Sequence, residues 1–225
     1  ADMYQLPVLV LTDKYLGTSE MEFTQEDLSP ITPDRGMIIK SKDELGEAEY
    51  QRYLLTDDGV SPRAYPGTPG LTFKSGSDEH NENGEISEDP HNRIEQMDKR
   101  MRKLESLLPE LPKPQLYGDE KADITLITWG SNKNICLEAA EMLRAEGKSV
   151  NVLHFIYLYP LDVAKVGAIL DEVKVGVMVE VNKTGQFAGM LAEYVGYRVD
   201  HKFLKYTGEP VYPEEIAEFV TNHVK

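Results

Sequence analysis

The sequence predicts an α/β protein whose second half is a mostly parallel sheet with helices on both faces, a three-layer α/β/α arrangement. Three observations point there. From Lys121 onward, short apolar runs alternate with amphipathic segments of helical length, and such alternation implies a parallel sheet flanked by helices. Ile124, Leu126 and Ile127 form a short apolar run, which is how a strand covered on both faces reads. After that run, Cys136, Ala139, Ala140 and Leu143 fall at i, i+3, i+4 and i+7, one stripe of a helix facing a sheet.

Each element has its own warrant. The first strand ends at Trp129-Gly130-Ser131, where the Ser131 hydroxyl can cap the following helix by accepting a first-turn N–H. Gly147 closes that helix and Val150 to Phe155 begins a second strand. Strands joined through such a crossover normally lie parallel. A helix follows Pro160 within Tyr157 to Leu170, then a strand at Val173 to Glu180 and a helix at Thr184 to Val195. A short strand at Phe203 to Tyr206 and a last helix at Pro213 to His223 complete the alternation.

The first half is less regular. Ala1 to Gln5 reads as the tail of a helix and Leu6 to Asp13 as a buried strand. With no strand before it, that strand either joins the edge of the later sheet or belongs to a longer polypeptide. Lys14 to Thr32 reads as loop with a short helical turn, and Arg35 to Lys40 as a short strand. A polar stretch follows in which Tyr50, Tyr53 and Leu54 supply the apolar contacts. From Asp57 to Gly76 prolines and glycines are dense enough to predict an ordered set of turns. Asp78 to Asp89 carries six carboxylates in twelve residues and reads as an exposed acidic loop. Pro90 suits a first helical turn and opens a helix to Leu108, whose Ile94, Met97, Met101, Leu104 and Leu108 form a narrow seam of coiled-coil type. Lys99, Arg100, Arg102 and Lys103 lie towards its C-terminal half, where they complement the helix dipole. Pro109, Pro112 and Pro114 end it as a stiff connector. The domain boundary is expected near Tyr117, separating 1–116 from 117–225.

Composition narrows the function. The net charge of −15 disfavours nucleic acid as a partner. No apolar run approaches the roughly 20 residues of a membrane-spanning helix, and no leader-like segment is present, so a cytoplasmic setting is expected. A lone cysteine, Cys136, excludes an internal disulfide and a cysteine-held cluster within the chain.

The chemistry-bearing residues are few. No Walker loop or glycine-rich dinucleotide turn follows any strand. Glu79, Asn81, Asn83 and Gly84 loosely imitate the start of a calcium loop, but its opening Asp is missing and Pro90 stands at the closing Glu. The five histidines show no ligand spacing. Arg63, held among prolines and glycines, can grip a carboxylate bidentately, or it can pin its loop to backbone carbonyls or to Asp57 and Asp58. Glu180 and Asn182 end a buried strand, where polar groups serve a site or interface; helix capping and subunit contact are the competing roles. In such sheets ligands and partners meet the loops at the strand carboxyl ends, here Trp129 to Asn132, Tyr157 to Pro160 and Glu180 to Gln186. No catalytic group and no metal set can be assembled from these residues.

The order of motifs resembles the alpha subunits of 2-oxoacid:ferredoxin oxidoreductases, chiefly of the 2-oxoglutarate type. The likeness rests on Asp58-Gly59-Val60-Ser61-Pro62-Arg63-Ala64 with Pro66-Gly67, Glu88-Asp89-Pro90 through Arg93 to Met97, and Lys99 to Leu104. Tyr117-Gly118-Asp119 leading to Trp129-Gly130-Ser131, and Glu180 and Asn182 with Thr184-Gly185-Gln186, extend it over essentially the whole chain. One departure is His80-Asn81-Glu82, where the family often reads His-Asp-Glu. Pro30-Ile31-Thr32-Pro33-Asp34 only echoes the family's motif for substrate and cofactor.

The resemblance implies that residues 1–116 are the tail of a thiamine pyrimidine-binding-type domain plus a connector loop and helix. Residues 117–225 would then be a domain similar to the C-terminal domain of transketolase. It implies oxidative decarboxylation of a 2-oxo acid to the acyl-coenzyme A, with electrons passed to ferredoxin. Thiamine diphosphate, Mg2+ and an iron–sulfur cluster belong to the holoenzyme and none to this chain alone. A beta subunit, gamma and delta subunits, and ferredoxin are the implied partners. The portion in hand would be structural and subunit-interface, inactive by itself. Two other readings stand beside it: a non-catalytic assembly module, and the C-terminal domain of a transketolase or 2-oxo acid dehydrogenase.

Overall fold

The structure is a computed structural model that describes residues 1–28 and 32–224. In chain order the elements are α1 (Lys14–Thr18), α2 (Gln25–Leu28), β1 (Ile38–Ile39), β2 (Arg63–Ala64), α3 (Pro90–Leu107), β3 (Gln115–Tyr117), β4 (Ile124–Trp129) and α4 (Lys133–Ala145). They continue as β5 (Val150–Phe155), α5 (Val163–Leu170), β6 (Val175–Glu180), α6 (Gln186–Met190), β7 (His201–Leu204) and α7 (Pro213–His223). The chain divides into two compact units, 1–9 with 22–110, and 10–21 with 111–225.

The second unit is built on a five-stranded sheet in the order β3-β5-β4-β6-β7. β4, β5, β6 and β7 are parallel, while β3 runs antiparallel along the edge of β5. The sheet is central because its strands are apolar on both faces. Leu126, Val152, Val177 and Val179 pack with α4 and α7. Their chain neighbours Ile127, Leu153 and Met178 turn the other way, onto α5 and α6. All four stripe residues of α4, Cys136, Ala139, Ala140 and Leu143, are fully buried. Burial pushes the Cys136 thiol up to about 12, with a hydrogen bond from Thr128 acting against it, so this cysteine is a small core residue. Gly147, at φ 86°, ends the α4 turn as expected, with Lys148 N–H donating to the Leu143 carbonyl at 3.0 Å.

Several expectations about this unit are corrected. Ser131 does not cap α4: a short 3-10 turn, Gly130–Asn132, intervenes, and the Ser131 hydroxyl donates to Asp13 instead. The other Asp13 oxygen caps α1 through Leu16 N–H at 2.8 Å. The Pro-rich connector hides β3, whose three residues pair with β5 from Gln115↔His154 to Tyr117↔Val152. The short fourth parallel strand lies two residues earlier than the sequence suggested, at His201–Leu204, and the helix after β6 ends in a π-turn, Leu191–Val195.

The first unit holds a two-stranded parallel ribbon, β1 with β2, over a small core of Ile39, Ala64 and Leu71. The predicted buried strand at Leu6 to Asp13 is instead extended and unpaired among the described residues, and Leu9 and Val10 are 86% and 80% exposed. This apolar run pairs with no sheet edge among the described residues. Ala1 to Gln5 forms a turn rather than a helix tail. Residues 29–31, within the predicted 14–32 loop and the Pro30 to Asp34 echo, lie outside the described residues.

The long helix also departs from its reading. Asp89 caps α3 through His91 N–H at 3.0 Å and Pro90 takes the first turn, as the sequence required. Its apolar seam, however, faces outward at Ile94, Met97 and Met101, of which Ile94 is 57% exposed and Met101 50%, while Leu104 and Leu108 are half-buried. The face packed into the unit is polar, with Gln96 and Lys99 buried. Both donate to the Tyr53 carbonyl, at 3.3 and 2.7 Å. Arg102 donates to the Thr56 carbonyl at 3.1 Å, and Ser106 to the Asp58 carbonyl at 2.9 Å. The stretch from Tyr53 to Asp58 turns backbone carbonyls towards α3, and a helix lying on them must bring donors.

The acidic loop is not simply solvated. Glu79 accepts two hydrogen bonds from Arg100, at 3.1 and 2.7 Å, and pairs with Arg93. The Arg100 guanidinium foremost holds its carboxyl at about 2. Glu82 accepts Leu55 N–H at 2.8 Å, and Asn81 Oδ1 closes a turn onto Asn83 and Glu85. Those bonds occupy the residues that imitate a calcium loop.

Burial lowers the Lys99 ammonium to about 8, against an ordinary 10.5. A lysine with a depressed folded value adds stability as pH rises through the window from about 8 to about 10.5 and loses it on the way down. Urea midpoints measured at pH 7, 9 and 10.5 should therefore climb for the parent relative to Lys99→Met. Parallel pH profiles would show that Lys99 is not buried.

Candidate functional site

The carboxyl ends of β4, β5 and β6 gather the three loops that the fold class marks for ligands or partners. Glu180, the last residue of β6, is fully buried there. Its Oε1 accepts Ala188 N–H at 3.0 Å. Oε2 accepts Phe187 N–H at 3.0 Å, Asn182 Nδ2 at 2.7 Å and Trp129 Nε1 at 3.4 Å. Four donors face it, which is the surrounding a buried carboxylate requires. Two of them are first-turn amides of α6, whose unpaired N–H groups and dipole favour a negative charge.

Asn182 completes the arrangement. Its Oδ1 accepts Gly185 N–H at 2.8 Å and Gln186 N–H at 3.2 Å, folding the 181–185 loop into the start of α6. Gly185 sits at φ 66° in this turn. Glu180 and Asn182 are thus brought together, and the geometry is that of helix capping.

Neighbouring polar groups are committed in the same manner. Asp162 caps α5 through Lys165 N–H at 3.0 Å and pairs with Lys165 Nζ at 2.7 Å. His154, buried near the end of β5, shares a hydrogen bond between Nε2 and the Gly130 carbonyl at 3.1 Å, while its Nδ1 has no partner among the described residues. Burial holds this imidazole below its ordinary range.

Beside these capped groups the edge leaves several large apolar side chains open. Ile156, Tyr157 and Tyr159 are exposed on the loop after β5, and Tyr159 meets exposed Tyr194 edge-to-face at 5.8 Å. A shallow cleft beside them is lined by Leu111, Pro114, Phe155, Tyr157, Leu161 and Val166. The sequence marked this loop only by its position after a strand. Its Tyr-Leu-Tyr-Pro composition was the available signal, because tyrosine is enriched where surfaces meet.

Arg63 belongs to the first unit. Its Nη2 donates to the Arg35 carbonyl at 3.1 Å and pairs with Asp2 at 3.1 Å. Arg35 binds the same carboxylate, and these two guanidinium groups, Arg35 first, hold Asp2 below the usual range. The loop-pinning role is therefore the one the geometry fits, with Asp2 in place of Asp57 and Asp58.

Thiamine's divalent ion and an iron–sulfur cluster need clustered ligands. Among the described residues no group of three or more His, Cys, Asp or Glu could hold a metal ion, and Cys136 is buried in the core. These residues do not fit those groups. No helix among the described residues is long and apolar enough to cross a membrane.

This layered α/β unit with a capped carboxyl edge has counterparts among known proteins. Residues 116–223 match the family described as transketolase, C-terminal domain. Subunit alpha of 2-oxoacid:ferredoxin oxidoreductase 2 from Aeropyrum pernix is 36% identical over 96% of this chain and 34% of its own length. The 2-oxoglutarate oxidoreductase subunit KorA of Mycobacterium tuberculosis is 30% identical over 96% of this chain and 32% of its own. Among solved structures, 2-oxoglutarate:ferredoxin oxidoreductase from Magnetococcus marinus, with 2-oxoglutarate, coenzyme A and succinyl-CoA bound, aligns with a TM-score of 0.75 and 32% identity. That alignment covers 83% of this chain and 32% of the solved one. The chain belongs to the alpha-subunit family of 2-oxoacid:ferredoxin oxidoreductases. It spans about a third of the length of the relatives it matches.

Proposed function

We propose that this chain is part of the alpha subunit of an enzyme that oxidatively decarboxylates a 2-oxo acid, 2-oxoglutarate first among candidates. In that reaction the bond between the carboxylate and the oxo carbon breaks and carbon dioxide leaves. The acyl group forms a thioester with coenzyme A, and the electrons pass to ferredoxin. The Magnetococcus relative supports this choice of acid and acyl acceptor by what it holds. Thiamine diphosphate, Mg2+ and the iron–sulfur cluster would be held by other parts of the enzyme.

The share assigned to this portion is to brace the subunit and contact the beta subunit, in a cytoplasmic enzyme. The carrying observation is the contrast at the carboxyl edge. Glu180, Asn182 and Asp162 have spent their polar groups on capping, while Ile156, Tyr157 and Tyr159 are exposed beside them. Such an edge suits contact rather than chemistry. Residues 1–116 are read as the tail of a pyrimidine-binding-type domain with its connector, and 117–225 as the transketolase C-terminal-like domain. The exposed apolar run from Val8 to Leu11 supports the first part, since it suits a sheet completed by other polypeptide.

The test is methyl viologen reduction with 2-oxoglutarate and coenzyme A, using the full-length alpha subunit with its beta partner. Turnover is expected there, and none from the 225-residue chain alone. A full complex that stays inactive with 2-oxo acids would overturn the enzymatic reading and leave an assembly module.

A further inference from the structure

We propose that the outward stripe of α3 docks a partner polypeptide surface that is apolar at its centre and rimmed by lysine or arginine. This rests on the assembly role proposed above and narrows it to one surface and one partner chemistry.

The stripe is Ile94, Met97 and Met101, which are 57%, 37% and 50% exposed. Spaced 3 and 4 apart, they lie along one face of the helix. Methionine is flexible and polarizable, which suits a surface that must mould to another. The charges of α3 are sorted about this stripe. Its cations are engaged within the unit: Lys99 on the Tyr53 carbonyl, Lys103 on the Gln5 carbonyl, Arg102 on the Thr56 carbonyl, and Arg93 and Arg100 on Glu79. Its exposed acids are not. Glu95, Asp98 and Glu105 form no ion pair among the described residues. Asp98 stands four residues after Ile94 and Glu105 four after Met101, so both flank the stripe on one side.

The helix thus offers an apolar line bordered on one side by carboxylates that form no ion pair among the described residues. A second copy packed antiparallel would set these carboxylates against their own equivalents, which is repulsive. A basic rim would compensate them, and the apolar line would supply the buried centre.

The intact subunit should bind a synthetic helical peptide with leucines on one stripe and lysines along one flank of it. Affinity should be at least about tenfold higher than for the same peptide with glutamates in place of lysines. Met97→Ser with Met101→Ser leaves the charge intact and should weaken the lysine peptide by about tenfold. Unchanged affinity there would mean attraction by bulk charge and would overturn the proposal. Glu95→Lys, Asp98→Lys and Glu105→Lys together should transfer the preference to the glutamate peptide; a preference that stays with lysine overturns it too. Sedimentation that finds a dimer dispersed by the serine pair would identify a second copy as the occupant, against the proposal. All these side chains are exposed, so circular dichroism should show the fold retained in both variants. If the beta subunit still co-purifies while neither peptide is preferred, this surface fails and the wider assembly role stands.

Discussion

Glu180→Ala should destabilise the second unit by several kcal/mol, because four donors lose their acceptor and each buried donor left unsatisfied costs about 1–3 kcal/mol. The substitution leaves Phe187 N–H, Ala188 N–H, Asn182 Nδ2 and Trp129 Nε1 facing a space without an acceptor. Glu180→Gln keeps the shape but turns an amide donor toward one of these donors, at about 1–3 kcal/mol. Urea unfolding measures both, and hydrogen exchange at the Phe187 and Ala188 amides should accelerate. A Gln variant of parental stability whose complete enzyme has lost turnover would put Glu180 in the chemistry and sink the capping role.

Gly59→Ala should cost the first unit about 2–4 kcal/mol, combining the strain of a left-handed residue with that of overpacking. Gly59 sits at φ 80°, and an added Cβ would stand 2.4 Å from the Lys99 carbonyl oxygen and 2.9 Å from the Lys103 nitrogen. Both atoms are helix backbone, so α3 itself must retreat, loosening the bonds of Lys99, Arg102 and Ser106 to the loop. Gly67→Ala is the internal comparison. Its φ is 91° but nothing lies within 4 Å, so only the conformational cost of about 1–2 kcal/mol applies. Equal melting temperatures for the two variants would show that α3 does not lie against Gly59.

These glycines show where sequence reading reaches its limit. Asp58-Gly59 was legible as a turn and as part of a family motif, but the reason for glycine at 59 is a helix forty residues later. The four-residue stripe of α4 and the strands around it were readable because period and burial agree within a few neighbouring residues. The seam of α3 had as clear a period and yet turned outward, because the surface beneath it is made of loop carbonyls that require Gln96 and Lys99. Ser131 failed as a cap for a similar reason: a distant carboxylate, Asp13, competes for its hydroxyl. At the candidate site, Glu180 and Asn182 could be singled out as polar residues ending a buried strand. That they serve α6 depends on amides up to eight residues further along the chain.

By itself the sequence determined the α/β class, the order of the parallel strands' neighbouring helices, and the family motifs, since these rest on local pattern and composition. Only the tertiary structure decided which face of α3 is buried, that Arg63 is held by Asp2, and that the carboxyl edge is capped shut with its tyrosines exposed. The physical reason is that hydrogen-bond satisfaction is settled between segments far apart in the chain. A buried donor or acceptor must find its partner wherever the fold provides one.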